Sequence, residues 1–77
     1  MHHELKIWPP YYEAVSDGRK TFEVRRNDRG FQAGDTVELK RWDPKTERYT
    51  GEQLTYRIGY VLPVDTERVV FSLLELE

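Results

Sequence analysis

The residues with the most chemical potential lie close together in the first third of the chain. Gly18, Lys20, Glu23 and Arg25 form the pattern G-x-K-x-x-E-x-R. Glu23 and Arg25 are two positions apart, so on an extended strand they share a face and can pair. Lys20 stands at the turn into that strand and can be aimed at the same face. An ammonium beside a carboxylate–guanidinium pair suits a phosphate and the polar edge of a base. The same spacing also describes a solvated ion pair, worth less than about 1 kcal/mol. Four positions alone do not choose between the two.

Other side chains can join this group. Trp8, followed by Pro9 and Pro10, and Tyr11 are candidate stacking platforms for a base; residues of this kind are more often plugs of a core or a barrel mouth. Of Tyr11 and Tyr12, one is expected in the core and the other at the edge of the site. Arg29 is the best placed of Asn27, Asp28 and Arg29 for ligand contact, the other two being turn formers. His3 lies on a short first strand from which it can approach the site or remain solvated. No three or four ligands converge at a metal-binding spacing, so neither metal nor cofactor is expected. Gly34-Asp35 reads as turn chemistry.

These residues need elements to hold them. Leu5 and Ile7 alternate with Glu4 and Lys6, which predicts a strand over 4–7. A short helix is expected over 10–17, opened by proline and closed by Gly18. A second strand over 20–25 sets Phe22 and Val24 on one side and Thr21, Glu23 and Arg25 on the other. Turns follow at 27–30 and 33–35. Val37 and Leu39 mark a strand over 36–41, after which Trp42 breaks the alternation, at a bulge or at a partly exposed interface. A hairpin loop is expected at 43–47, extended by Thr50-Gly51. Leu54 to Leu62 alternate along a further strand, and 69–76 form the last. Phe22, Val24, Val37, Leu39, Ile58 and Phe71 are expected to be buried together. About five short strands with one helix avoid exposed edges best by curling closed, so the expected fold is mainly β, a barrel of about five strands.

Seventy-seven residues make one domain, 1–77, and Leu, Ile, Val and Phe number 19, enough for one core. The net charge of −2 is mixed along the chain: six basic and six acidic residues in 1–35, six and eight in 36–77. Any basic surface must therefore come from folding, and duplex coating is not expected. There is no cysteine, no apolar run long enough to span a membrane and no leader-like start. Together these suggest a cytoplasmic setting.

The segments His3–Ile7, Pro10–Val15, Gly18–Arg25, Asn27-Asp28-Arg29 and Gly34-Asp35 resemble a family of small phage and bacterial domains of uncharacterised function, DUF3850, related to ASCH domains. The resemblance spans nearly the whole chain, densest from 3 to 39. It implies a PUA-like β-barrel and a role in RNA binding, with the G-x-K-x-x-E-x-R motif in a cleft between helix and barrel. One ASCH branch hydrolyses N4-acetylcytidine with the motif lysine and a threonine three residues later. Here Lys20 is kept, but Glu23 takes the threonine position and Thr21 is at the wrong offset. That branch also uses an acidic residue late in the chain, for which Glu75 is the candidate here.

The leading expectation is a binding module for RNA or a nucleotide-like ligand. Lys20, Arg25 and Arg29 would contact phosphate or base acceptors. Glu23 would read a base amino group or orient the cations, and Trp8 or Tyr11 would stack. A small hydrolase of modified nucleosides or RNA, with Lys20 and Glu23 as a proton-transfer pair, is the alternative. A protein-interaction module using Trp42 and the hairpin is a third. A monomer or weak dimer is expected.

Overall fold

The computed structural model describes residues 1–76; Glu77, the last residue of the expected span, lies outside them. The elements run β1 (His2–Ile7), α1 (Pro9–Ser16), β2 (Phe22–Arg26), β3 (Thr36–Asp43), β4 (Arg48–Pro63) and β5 (Arg68–Glu75). The fold is mainly β, as the alternation predicts, and the strands form one five-stranded sheet in the order β1-β3-β4-β5-β2. Only the β1–β3 pair is parallel; the others are antiparallel. Thr50-Gly51 belongs to β4 rather than to the hairpin loop.

The sheet curls into a half-barrel, and the core fills its concave side. Leu5 and Ile7 of β1, Val37 and Leu39 of β3, Ile58 of β4 and Val69, Phe71 and Leu73 of β5 line it. Tyr12 and Val15 of α1 and Phe31 from the loop after β2 pack against them. Phe71, Leu39, Ile58 and Val37 are the largest fully buried side chains. Two ladder irregularities, between Lys40 and Trp42 and between Ile58 and Val61, accompany the curl, because a bulge bends and twists its strand. Trp42 accordingly breaks alternation at a bulge and packs edge-on against Tyr49, ring centres 5.0 Å apart.

One expectation is reversed. Phe22 and Val24 do not enter the core; they are 45% and 47% exposed, on the convex face. Their strand turns its other side inward, so that Glu23 is 3% exposed and Arg25 half-buried. The buried aromatic beside Phe71 is instead Phe31, whose ring lies 4.9 Å from that of Phe71. Val24, Val70 and Leu62 stand in register across β2, β5 and β4, forming an apolar row on the convex face. On the other half of that face Glu4 pairs with Lys40, and His2 with Glu38 and Thr36.

The half-barrel does not close by backbone pairing. The edge strands β1 and β2 lie more than 8 Å apart, Cα to Cα, over most of their length, whereas paired strands sit about 5 Å apart. Two arginines span the opening. Arg25 Nη2 donates to the Lys6 carbonyl at 2.8 Å, and Arg29 Nη1 donates to the Glu4 carbonyl at 2.5 Å. Glu4 and Lys6 are two apart, so both carbonyls face the same free edge of β1.

Candidate functional site

The local sequence fixes where Lys20 goes. Trp8 stays extended and its carbonyl accepts the N–H groups of Tyr11 and Tyr12, which starts α1 without a side-chain cap. Pro9 and Pro10 fit this first turn because its N–H groups have no partner within the helix. At the other end Gly18 adopts φ +85°, a left-handed conformation that costs other residues more. The chain then folds back: Gly18 N–H donates to the Val15 carbonyl at 3.1 Å and Lys20 N–H to the Ala14 carbonyl at 2.9 Å. Lys20 is thereby pinned beside the helix two residues before β2 begins. Arg19 is held away by Asp17, at 2.8 Å.

Glu23 is the hub. Lys20 Nζ donates to its Oε1, and Arg25 Nε donates to its Oε2 at 2.8 Å. Arg25 then uses Nη2 on the Lys6 carbonyl, so β1, β2 and the loop after α1 are tied through one carboxylate. Beside this hub opens a cleft of about 570 Å³, bounded by Trp8 and Tyr11 on one side and by Lys20, Glu23, Val24 and Arg25 on the other. Lys6 and Ile7 complete the wall. Trp8 and Tyr11 are half-exposed, at 51% and 58%, while Tyr12, one position on, is buried in the core. Lys20 Nζ lies 5.8 Å from the centre of the Tyr11 ring. Lys6 places its ammonium elsewhere, 3.9 Å from the centre of the Trp42 ring. The cleft thus has two cations, Lys20 and Arg25, against one carboxylate, with two aromatic faces free to stack.

A match to the family described as a domain of unknown function (DUF3850) extends over residues 2–72. The chain belongs to this family. The chain is also similar to an uncharacterized 12.9 kDa protein in the GpA 3′ region of Escherichia phage P2, 36% identical over 56 residues. The match covers 73% of the present chain and 50% of that protein, so this DUF3850 chain spans about half the length of its phage relative.

Two residues named from the sequence stand apart from the cleft of the DUF3850 domain. Arg29 spans the opening between the edge strands, on the Glu4 carbonyl and near Asp28 at 3.8 Å. His3 is 4% exposed on the concave side, its Nε2 at 2.8 Å from Asp35 Oδ2 and its ring edge-on to Phe31. Asp35 also accepts the Gln32 N–H at 3.1 Å and the amine of Met1 at 3.1 Å. It is therefore a buried anchor rather than only a turn former. The signal was parity: His3 shares a face with Leu5 and Ile7, and Asp35 with Val37 and Leu39.

The hydrogen bond from His3, helped by those from Met1 and Gln32, holds the Asp35 carboxyl below the usual aspartate range against the opposing effect of burial. A carboxyl lowered in the folded state stabilises the fold fully above its unfolded value, near 4, and loses that contribution as pH falls through the folded value. Asp35→Asn is therefore expected to lose about 1–3 kcal/mol at pH 7. The gap from the wild type should begin to narrow below about pH 4, where Asp35 of the unfolded chain takes up a proton, and close further as pH falls through the lower folded value. Thermal melts of both proteins between pH 7 and pH 3 test this. A gap that stays constant over that range would show that the charge of Asp35 does not matter.

Proposed function

We propose that this DUF3850 domain is a binding module for a nucleotide or a short stretch of single-stranded RNA, held in the cleft between α1 and β2. The observation that carries this reading is the convergence of two half-exposed rings, Trp8 and Tyr11, on a lysine fixed by a buried carboxylate. Stacking is worth about 1–3 kcal/mol per base and a charge-assisted hydrogen bond to phosphate about 1.5–3. Aromatic faces beside a cation supply both without a basic surface overall. The cleft volume is within the range of small-ligand sites, about 300–1,000 Å³. The likeness of Gly18–Arg25 to the ASCH motif of PUA-like domains supports the same ligand class. A ligand of this kind belongs to the cytoplasm, and we take the working form to be a monomer or weak dimer.

The roles differ from a simple row of contacts. Glu23 is almost fully buried with each oxygen already engaged, so it orients Lys20 and Arg25 rather than meeting the ligand. Lys20, with its side chain 19% exposed, is the phosphate contact. Its replacement by alanine is expected to weaken binding of adenosine monophosphate, or of a short unstructured RNA, about tenfold or more. Calorimetric titration measures this. Equal affinity in wild type and variant would remove Lys20 from the site. The Lys20–Glu23 contact also admits a small hydrolase as a second reading. Release of acetate from N4-acetylcytidine, or cleavage of RNA, by the wild type and not by Lys20→Ala would establish it.

A further inference from the structure

The hydrogen-bond register of β2 has a consequence for what the cleft can recognise. Leu73 N–H donates to the Thr21 carbonyl at 2.9 Å, and Asn27 N–H donates to the Glu67 carbonyl at 2.8 Å. In the antiparallel register these are the pairs 21–73 and 27–67, with 23–71 and 25–69 between them. Hydrogen-bonded pairs alternate with non-bonded ones along such a ladder. The odd-numbered residues of β2 therefore spend their backbone groups on β5. Phe22 and Val24 turn their N–H and carbonyl groups the other way, toward the opening between the edge strands. Among the described residues no backbone or side-chain partner takes them there. Val24 is itself part of the cleft wall, beside Lys20 and Arg25 and in the same cleft as Trp8 and Tyr11.

We propose that this free edge reads the Watson–Crick edge of an unpaired nucleobase, the Phe22 carbonyl accepting and the Val24 N–H donating. The inference rests on the nucleotide reading above and adds the part of the base that is recognised. Every base carries a donor beside an acceptor on that edge, and adenine and cytosine present an amino group next to a ring nitrogen. A strand edge offers the complementary order, one carbonyl and one N–H on the same side, as it does to an added peptide strand. Base stacking on Trp8 or Tyr11 and phosphate contact at Lys20 leave this as the remaining polar edge to satisfy. Duplex RNA has its Watson–Crick edges occupied and cannot be read this way, whereas unpaired bases can.

Val24→Pro is the direct test. Proline removes the N–H and is tolerated on an edge strand where that N–H is outside the ladder. Wild-type protein should bind adenosine monophosphate more tightly than ribose 5-phosphate, and should lose about tenfold for 1-methyladenosine monophosphate, whose Watson–Crick edge is blocked. Val24→Pro should bind adenosine monophosphate about tenfold more weakly and ribose 5-phosphate as the wild type does. Lys20→Ala should weaken both. Should Val24→Pro fail to fold, the wild-type amides answer the same question. Those of Phe22 and Val24 should exchange with solvent fast in the free protein, and that of Val24 should be protected when adenosine monophosphate is bound. Unchanged exchange at Val24 in a formed complex, or equal binding of the methylated and unmethylated nucleotides, overturns the inference and leaves nucleotide binding standing. Failure of the wild type to bind any of the four nucleoside monophosphates overturns both.

Discussion

Replacing Phe71 by alanine is expected to remove most of the stability of the protein, and the same change at Phe22 to remove little. Phe71 is fully buried at the centre of β5, in contact range of the Phe31 ring. Truncating such a side chain costs about 3–5 kcal/mol, through lost transfer energy and the cavity left behind. A chain of this size has roughly 4–12 kcal/mol in total. The melting temperature of Phe71→Ala should therefore fall by more than about 15 °C, and the variant will be partly unfolded at ambient temperature if the total lies at the low end. Phe22 is 45% exposed on the convex face, so Phe22→Ala should cost about 1 kcal/mol or less. Melting both variants side by side decides the matter. Equal losses would mean that Phe22 is packed inward after all.

The second large effect is at Glu23. Its carboxylate is 3% exposed and is shared by Lys20 and Arg25. Glu23→Gln keeps the shape but offers one acceptor oxygen and an amide that repels the second cation. One partner is left without its counter-charge in a partly buried place, at a cost of about 1–3 kcal/mol. The side chains of Lys20 and Arg25 are 19% and 25% exposed, so partial escape to water keeps the cost below that of a sealed pair. Stability and nucleotide affinity should drop together, because the same carboxylate ties β1 to β2 and aims Lys20. Adding Lys20→Met to Glu23→Gln should restore part of the stability, since the unmatched charge is gone, but none of the affinity. A double-mutant cycle measures this, and additive losses would show that the two residues do not act as a pair.

The contrast between Phe22 and Glu23 shows how much of this molecule is legible in its sequence. Period-two alternation separates Phe22 and Val24 from Glu23 and Arg25 correctly, and the proline start, the Gly18 stop and the Asp43–Glu47 hairpin are all visible. What alternation does not say is which of two faces turns inward. The usual rule puts the apolar face inside, and β2 breaks it: its apolar face joins Val70 and Leu62 on the convex side, while Phe31 supplies the buried ring beside Phe71. Carboxylate and cations can turn inward there because each satisfies the other. The sequence spacing of Lys20, Glu23 and Arg25 suggests their association, whereas the free backbone edge of β2 follows from hydrogen-bond parity, which no side-chain pattern reveals. His3 and Asp35, 32 positions apart, meet only because β1 pairs in parallel with β3, a non-local choice that local patterning does not encode.

β4 has 16 residues, which fully extended would reach about 53 Å, yet the molecule measures 32 Å along its longest axis. The strand has to bend, and it does so while changing neighbours. Its first part is laddered to β3, its last part to β5, and among the described residues only Tyr56 and Arg57 are paired on both sides. Just beyond, a Cβ on Gly59 would come within 2.9 Å of the Ser72 and Leu74 side chains, so a larger residue there would have to push those side chains aside. The two edge strands that frame the cleft are the far ends of the two arms joined at this bend. With side-chain bridges from Arg25 and Arg29 but no ladder between them, their separation follows the curvature of β4, as the gap of a pair of tongs follows the pivot. The aperture offered to a ligand is thus a property of a strand that does not line it.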